Sequence, residues 1–312
     1  MDIYKKINLI VDNVEKVILG KTEVIKMALA AMLSEGHILF EDVPGVGKTI
    51  LARSLARSVD CSFKRIQFTP DLMPSDVTGA YIYNQKENEF EFMSGPVFSQ
   101  VVLADEINRA TPRTQSSLLE SMSEGQVTVE GKEYKLSEPF IVMATQNPVE
   151  YDGTFPLPEA QLDRFLIKLS IGYPGMNNEI KILDSQQYNH PLTELKPVIS
   201  AEDFVAIQQE IKNIHIKNEL KEYIVNIVSS TRESSFLKLG ASPRASLGIY
   251  KMSRAWAAIE RRDYILPDDI KIVAPYVLKH RILLKSDSRL RGRSKKGIIT
   301  DILDRTEVPT GV

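Results

Sequence analysis

Two short stretches of this chain carry the residues best placed to do chemistry. The first, EDVPGVGKTI (41–50), is rich in glycine and leads into Lys48 and Thr49. In a phosphate-binding loop, successive backbone N–H groups wrap the β- and γ-phosphates, and the following helix points its positive dipole end at them. Gly45 and Gly47 would permit the backbone angles and the close approach; Lys48 would reach the β/γ oxygens, and Thr49 would ligate Mg²⁺ through its hydroxyl. Pro44, Val46 and Ile50 complete the nucleotide-binding stretch. Asp42 departs from the usual G-x-x-x-x-G-K-[ST] pattern by standing where the first glycine is expected. That position falls where a strand ends and its side chain is free to point away from phosphate, so the loop is still expected to form.

The second stretch, VVLADE (101–106), ends in two acids. Asp105 would hold Mg²⁺ through water, and Glu106 would orient and polarise an attacking water. An isolated Asp-Glu pair reads more simply as a solvated strand end. Its place after a buried apolar run, and about fifty residues beyond a phosphate loop, favours catalysis. The four histidines, His37, His190, His215 and His280, are scattered without metal-ligand spacing and read as packing or surface residues.

These groups need elements to position them. Apolar residues spaced by three and four predict a helix over 3–19, and a more apolar one follows at 22–34. The run HILFE, the glycine-rich turn and a helix over 48–58 give the strand, loop and helix that a phosphate loop requires. Further apolar runs at 63–68, 101–106, 140–145 and 165–170 read as strands, several linked by helical segments, which predicts a parallel sheet with helices on both faces. Two hairpins interrupt this alternation: GAYIYNQKENEFEFMSG, turning over Asn84 to Asn88, and GQVTVEGKEYKLSE, turning near Glu130 to Lys132. The α/β part is expected to end near Tyr173-Pro174-Gly175. Beyond it, helices are predicted over 176–187, 201–213, 217–235, 243–260 and 267–282, with a proline-containing linker over 188–200.

With 43% hydrophobic and 26% charged residues, the chain has an ordinary globular composition, and its 312 residues suffice for two domains. A formal net charge of -2 argues against a protein that is basic all over. The single cysteine, Cys61, excludes an intramolecular disulfide and a cysteine-cluster zinc site, and reads as a small buried apolar residue. No signal peptide or membrane span is visible, so a cytoplasmic protein is expected.

Five stretches, in order, resemble the MoxR family of the AAA+ ATPases: VILGK, EDVPGVGKT, GPVFSQVVLADEINRATPRTQSSLLESMSEGQVTV, ATQNPVEYDGTFPLPEAQLDRF and SPRASLGIYKMSRAWA. The match covers most of the chain. It implies a P-loop core of α/β class with a parallel sheet and inserted hairpins over residues 1–175, followed by an all-helical lid over 176–312. It also implies ATP and Mg²⁺. Asn147 resembles sensor 1, which helps hold the lytic water, and Arg164 resembles the arginine finger that reaches the γ-phosphate of a neighbouring subunit. Arg244 resembles sensor 2, contacting nucleotide in its own subunit, with Arg109 a reserve candidate for an intersubunit contact. Leu19 and Gly20 resemble the adenine-pocket stretch, although Lys21 replaces the usual glutamine. Taken singly, Arg109, Arg113 and Arg164 read as surface or ion-pair residues.

A finger supplied in trans implies a homo-oligomer, by resemblance a hexameric ring. The leading expectation is a chaperone-like ATPase acting on a protein client, often one with a von Willebrand factor A domain. The alternative is a nucleic-acid motor of the same hairpin-bearing clade, using Lys132 and the basic run RLRGRSKK (289–296). Against it stand the slight acidic excess and the lack of an N-terminal oligonucleotide-binding barrel or zinc module. A third reading is a nucleotide-dependent scaffold without turnover, which the presence of Glu106 and Arg164 disfavours.

Overall fold

The computed structural model describes residues 2–147, 153–185, 187 and 189–309; residues 148–152 of the quoted sensor 1 stretch lie outside these. Two helices lead, α1 (Ile3–Glu15) and α2 (Thr22–Leu33), then β1 (Ile38–Glu41), α3 (Lys48–Ser58), β2 (Phe63–Gln67) and the short α4 (Pro74–Thr78). The first expected hairpin follows as β3 (Gly79–Asn84) and β4 (Glu89–Ser94), then β5 (Val101–Asp105) and α5 (Pro112–Glu124). The second is β6 (Gln126–Val129) and β7 (Lys132–Lys135), ahead of β8 (Ile141–Gln146), α6 (Glu159–Leu162) and β9 (Ile167–Leu169).

The five core strands are all parallel, in the order β2-β5-β8-β1-β9. Strand residues alternate faces, and both faces of the inner strands β1, β5 and β8 are buried, which is why those three read as near-continuous apolar runs, whereas edge strand β2 exposes Lys64, Arg65 and Gln67. Ile38, Phe40, Val101, Leu103, Ile141 and Met143 pack on one side with α1, α2, α3 and the C-terminal helices. Leu39, Val102, Ala104, Val142 and Ala144 pack on the other with Leu118, Leu119 and Phe165. Pro112 opens α5 and Gly125, in the left-handed region at φ 63°, ends it.

After β9 the chain is almost wholly helical: α7 (Met176–Ser185), α8 (Pro191–Glu194), α9 (Ala201–Ile211), α10 (Asn218–Glu233), β10 (Leu237–Leu239), α11 (Pro243–Ile259), α12 (Pro267–Leu278), β11 (Leu283–Leu284), α13 (Ser286–Leu290) and α14 (Lys295–Arg305). Ser242 caps α11 by accepting from Arg244 N at 3.2 Å. The α/β core with a helical lid is the architecture the sequence predicts.

Several expectations need correction. The first helix stops at Glu15, not residue 19, because the chain turns through Val17–Gly20, with Gly20 at φ 70°. The acidic strand stops at Asp105, one residue short, and Glu106 adopts a left-handed backbone at φ 55°. The stretch 165–170 pairs only over Ile167–Leu169, and the expected linker contains the single turn of α8. The basic run 289–296 ends inside an element: Ser294 caps α14 by accepting from Gly297 N, and Ile298, Ile299, Ile302 and Leu303 bury its apolar face.

Candidate nucleotide site at the carboxyl ends of the strands

Because β5, β8 and β1 are neighbours, their carboxyl ends bring together the phosphate loop, the acidic pair and Asn147. Ligands bind outside this edge of a parallel α/β sheet, and a cleft of about 340 Å³ opens there. Pro44, Gly45, Gly47, Lys48, Thr49 and Ile50 line one side. Arg65, Asp105, Glu106, Thr145 and Asn147 line the other. A larger cleft of about 480 Å³ lies in the lid between α10 and α14, beside Glu233, Asp301 and Arg305. It holds none of the phosphate-loop residues, so chemistry rather than size picks the smaller one.

Gly45 and Gly47 have φ of 82° and 92°, a region L side chains rarely adopt, and an added Cβ at either would meet nothing within 4 Å. Packing within the chain therefore does not require glycine; an open backbone cradle in front of the first turn of α3 does. Val46 turns the other way and packs against the apolar core.

Asp42 locks the base of the loop. Its Oδ2 accepts from Ile171 N and Gly172 N at 2.7 Å and from Ser170 Oγ at 3.0 Å, and its Oδ1 accepts from Val43 N at 3.0 Å. Burial opposes ionisation, but the bonds from Gly172, Ser170, Ile171 and Val43 outweigh it and hold the carboxyl below its ordinary range. The side chain thus faces the end of β9 and leaves the phosphate side clear. Lys48 Nζ donates to Asp42 O at 2.8 Å. Burial lowers the Lys48 ammonium's pKa, and the nearby Asp42, Asp105 and Glu106 charges partly restore it.

The acidic pair is held in a network. Asp105 Oδ1 accepts from Thr145 Oγ1 at 2.6 Å, and its Oδ2 accepts from Arg65 Nε at 2.9 Å and Nη2 at 2.6 Å. Thr145 Oγ1 accepts from Glu106 N at 2.8 Å, fixing the left-handed turn that swings the Glu106 side chain off the strand axis. Glu106 Oε2 accepts from Gln67 Nε2 at 2.9 Å and from Arg109 Nη1 at 3.2 Å, so Arg109 here meets the acid of its own chain. Arg65, Gln67 and Thr145 were not among the sequence candidates. A signal was present: Gln67 and Thr145 are polar residues at the carboxyl ends of strands flanking the acidic one, where the sheet presents its ligands.

The remaining candidates are distributed around this centre. Asn147 is buried at the cleft wall. Arg164 points away from its own cleft and donates through Nη1 to Leu119 O and Ser123 Oγ on α5. Arg244 lies at the start of α11 with its side chain 59% exposed, 3.8 Å from Asp163 Oδ2. Leu19 and Gly20 lie outside the cleft lining, and Gly20 abuts Asn178 of α7, whose side chain a Cβ would strike at 1.9 Å. Arg113 is exposed. Lys132 Nζ lies 5.1 Å from the Tyr81 ring centroid, and Arg293 of the basic run pairs with Asp301 at 3.0 Å and covers Phe236. His37 and His280 are buried packing groups: His37 Nδ1 accepts from Val142 N, and His280 Nε2 bonds Phe165 O.

The donor set fits a magnesium nucleotide. Thr49 and Asp105 present hard oxygens to one cleft, as Mg²⁺ requires, and Lys48 with the open N–H cradle suits phosphate. Among the described residues no helix is long and apolar enough to cross a membrane.

Comparison with known proteins gives the same reading. Residues 37–167 match the ATPase family associated with various cellular activities (AAA), and residues 229–302 match the AAA lid domain. The chain is 50% identical over 99% of its length to the uncharacterized protein YeaC of Bacillus subtilis, covering 96% of that protein. It is 41% identical over 95% of its length to the chaperone MoxR1 of Mycobacterium tuberculosis, covering 80% of it. The crystal structure of a putative ATPase from Cytophaga hutchinsonii superposes with a TM-score of 0.91 at 41% identity, over 99% of this chain and 96% of that one. A phosphate cradle, an acidic strand end and a helical lid, in a chain so similar to MoxR1, place this protein in the MoxR family of AAA+ ATPases.

Proposed function

We propose that this chain hydrolyses ATP with Mg²⁺ at the interfaces of a homo-oligomeric ring and uses the cycle to remodel or activate a protein partner. The observation that carries the reading is the convergence of Lys48, Thr49, Asp105, Glu106 and Asn147 on one cleft at the strand ends. The backbone at Gly45 and Gly47 would cradle the phosphates, and Lys48 would exchange its bond to Asp42 O for a phosphate oxygen. Mg²⁺, held by Thr49 and through water by Asp105, would neutralise charge on the phosphate oxygens. Glu106, steered by Gln67 and Arg109, would accept hydrogen bonds from a water and polarise it, with Asn147 helping to place that water.

Two arginines would complete the site. Arg244 would reach the nucleotide from the lid of its own subunit. Arg164, which its own chain directs away from the cleft, would serve the neighbouring subunit, and six copies is the number the family resemblance favours. Residues 1–175 would form the nucleotide-binding core and 176–312 the lid, with Leu19 and Gly20, against α7, bordering the base. The remodelling role follows the relative whose printed name is chaperone; a von Willebrand factor A domain protein is the client class to try first.

Steady-state ATP hydrolysis measured against protein concentration, for wild type and Arg164→Ala, tests this. Specific activity should rise with concentration, and the variant should lose it while still binding ATP. Activity that is independent of concentration and indifferent to Arg164 removes the interface mechanism.

A further inference from the structure

Asp163 lies where core meets lid, directly before Arg164, and its carboxylate is shared by three groups of the lid. Oδ1 accepts from Arg281 Nε at 2.7 Å. Oδ2 accepts from Ser242 Oγ at 3.0 Å and lies 3.8 Å from Arg244 Nη1. These two oxygens see very different partners. The Arg281 side chain is only 3% exposed, and its remaining N–H groups donate to Leu166 O, Val277 O, Phe165 O and Asp163 O. All five donors of that guanidinium are therefore used, which fixes Asp163 against the end of α12 and leaves its carboxylate no freedom to follow a moving partner. Arg244 is beyond hydrogen-bond distance and 59% exposed. Its contact with the same carboxylate is loose, and Ser242, the N-cap two residues before it, already takes the better geometry.

We propose that Asp163 is a positioning residue that holds Arg244 in a resting place and competes with nucleotide phosphates for it. The inference rests on the reading of Arg244 as the lid's nucleotide contact. Asp163 stays fixed by Arg281, so when phosphate arrives Arg244 is the group that moves. The loose, exposed geometry keeps the competition weak enough to be overcome. One oxygen of the fixed carboxylate thus serves as a joint to Arg281 and the other as a latch for Arg244.

Binding of a non-hydrolysable ATP analogue with Mg²⁺, measured by calorimetry on the full chain, tests the inference. Asp163→Asn keeps an oxygen for Arg281 and a polar partner for Ser242 but removes the charge that holds Arg244. It should bind the analogue about two- to fivefold tighter, the range expected for releasing an exposed ion pair. A merely structural role for Asp163 gives the opposite sign, because a loosened lid weakens binding. In the Asp163→Asn, Arg244→Ala double variant the gain should vanish, leaving the affinity of Arg244→Ala alone. Unchanged or weaker binding by folded Asp163→Asn, where Arg244→Ala alone weakens binding, overturns the inference and leaves the sensor reading standing. No effect of Arg244→Ala overturns the sensor reading itself, and this inference with it. Should Asp163→Asn fail to fold, Ser242→Gly, which removes the hydroxyl at little cost to the cap of α11, reads the same competition in reverse. Freeing Oδ2 for Arg244 should weaken binding, and unchanged or tighter binding counts against the proposal.

Discussion

At the scale of single residues, Asp42 shows how a departure from a motif is resolved. The usual pattern has glycine there, and the aspartate gains a use that glycine lacks: it caps three donors at the end of β9 and one at the start of the loop. Because the folded carboxyl titrates below its ordinary value, its contribution is complete above the unfolded carboxylate's pKa, near 4. It is lost as the pH falls through the folded value. Asp42→Asn should therefore cost about 1–3 kcal/mol of stability at pH 7, the worth of hydrogen bonds to a buried charged acceptor. The urea midpoints of the two proteins should converge as the pH is lowered below the ordinary carboxylate range. A gap that persists undiminished in acid would mean that shape, not charge, holds the loop base.

At the scale of elements, the two inserted hairpins are joined to each other. Phe92 of β4 stacks on Tyr134 of β7 at 4.3 Å and 17°, and the hydroxyls of Tyr81 and Tyr134 are 2.5 Å apart. Phe98 closes the cluster edge-on, 5.7 Å from Phe92. The β6–β7 hairpin grows directly out of the α5 end that anchors Arg164, so the pair form a continuous path from that arginine to the exposed Phe90 and Met93. An aromatic pair adds about 0.5–1.5 kcal/mol beyond its buried area. Tyr134→Ala should accordingly raise hydrogen exchange across Gly79–Ser94 by roughly two- to tenfold, with little change in the global unfolding midpoint. Equal exchange in both proteins would show that the hairpins are independent.

At the scale of the whole molecule, the cleft has an acid and a cradle but directs its finger candidate elsewhere. If sites are completed between copies, Glu106→Gln chains and Arg164→Ala chains should each be nearly inactive, by roughly 10²–10³-fold or more. Mixed together, they should recover part of the activity, since an Arg164→Ala subunit keeps its acid and can borrow an arginine from a Glu106→Gln neighbour. No recovery on mixing, with both variants assembling, would place both residues in one site.

What the sequence settled by itself was local. The phosphate loop, the apolar strands, both hairpins and most lid helices follow from periodicities of two and 3.6 and from turn residues, which act over a few positions. The family resemblance added the roles expected of Asn147, Arg164 and Arg244, which spacing alone does not assign. Helix α14 was hidden because its basic entry reads as surface, although Ile298, Ile299, Ile302 and Leu303 form a helical stripe. Only the tertiary structure decided which polar groups meet. Arg65 finds Asp105 across 40 residues, Gln67 finds Glu106 across 39, Arg281 finds Asp163 across 118, and Asp42 finds Gly172 across 130. A polar side chain carries no periodic mark of its partner. Its partner is fixed by strand order and by how lid and core pack, and those arise from burial summed over the whole chain.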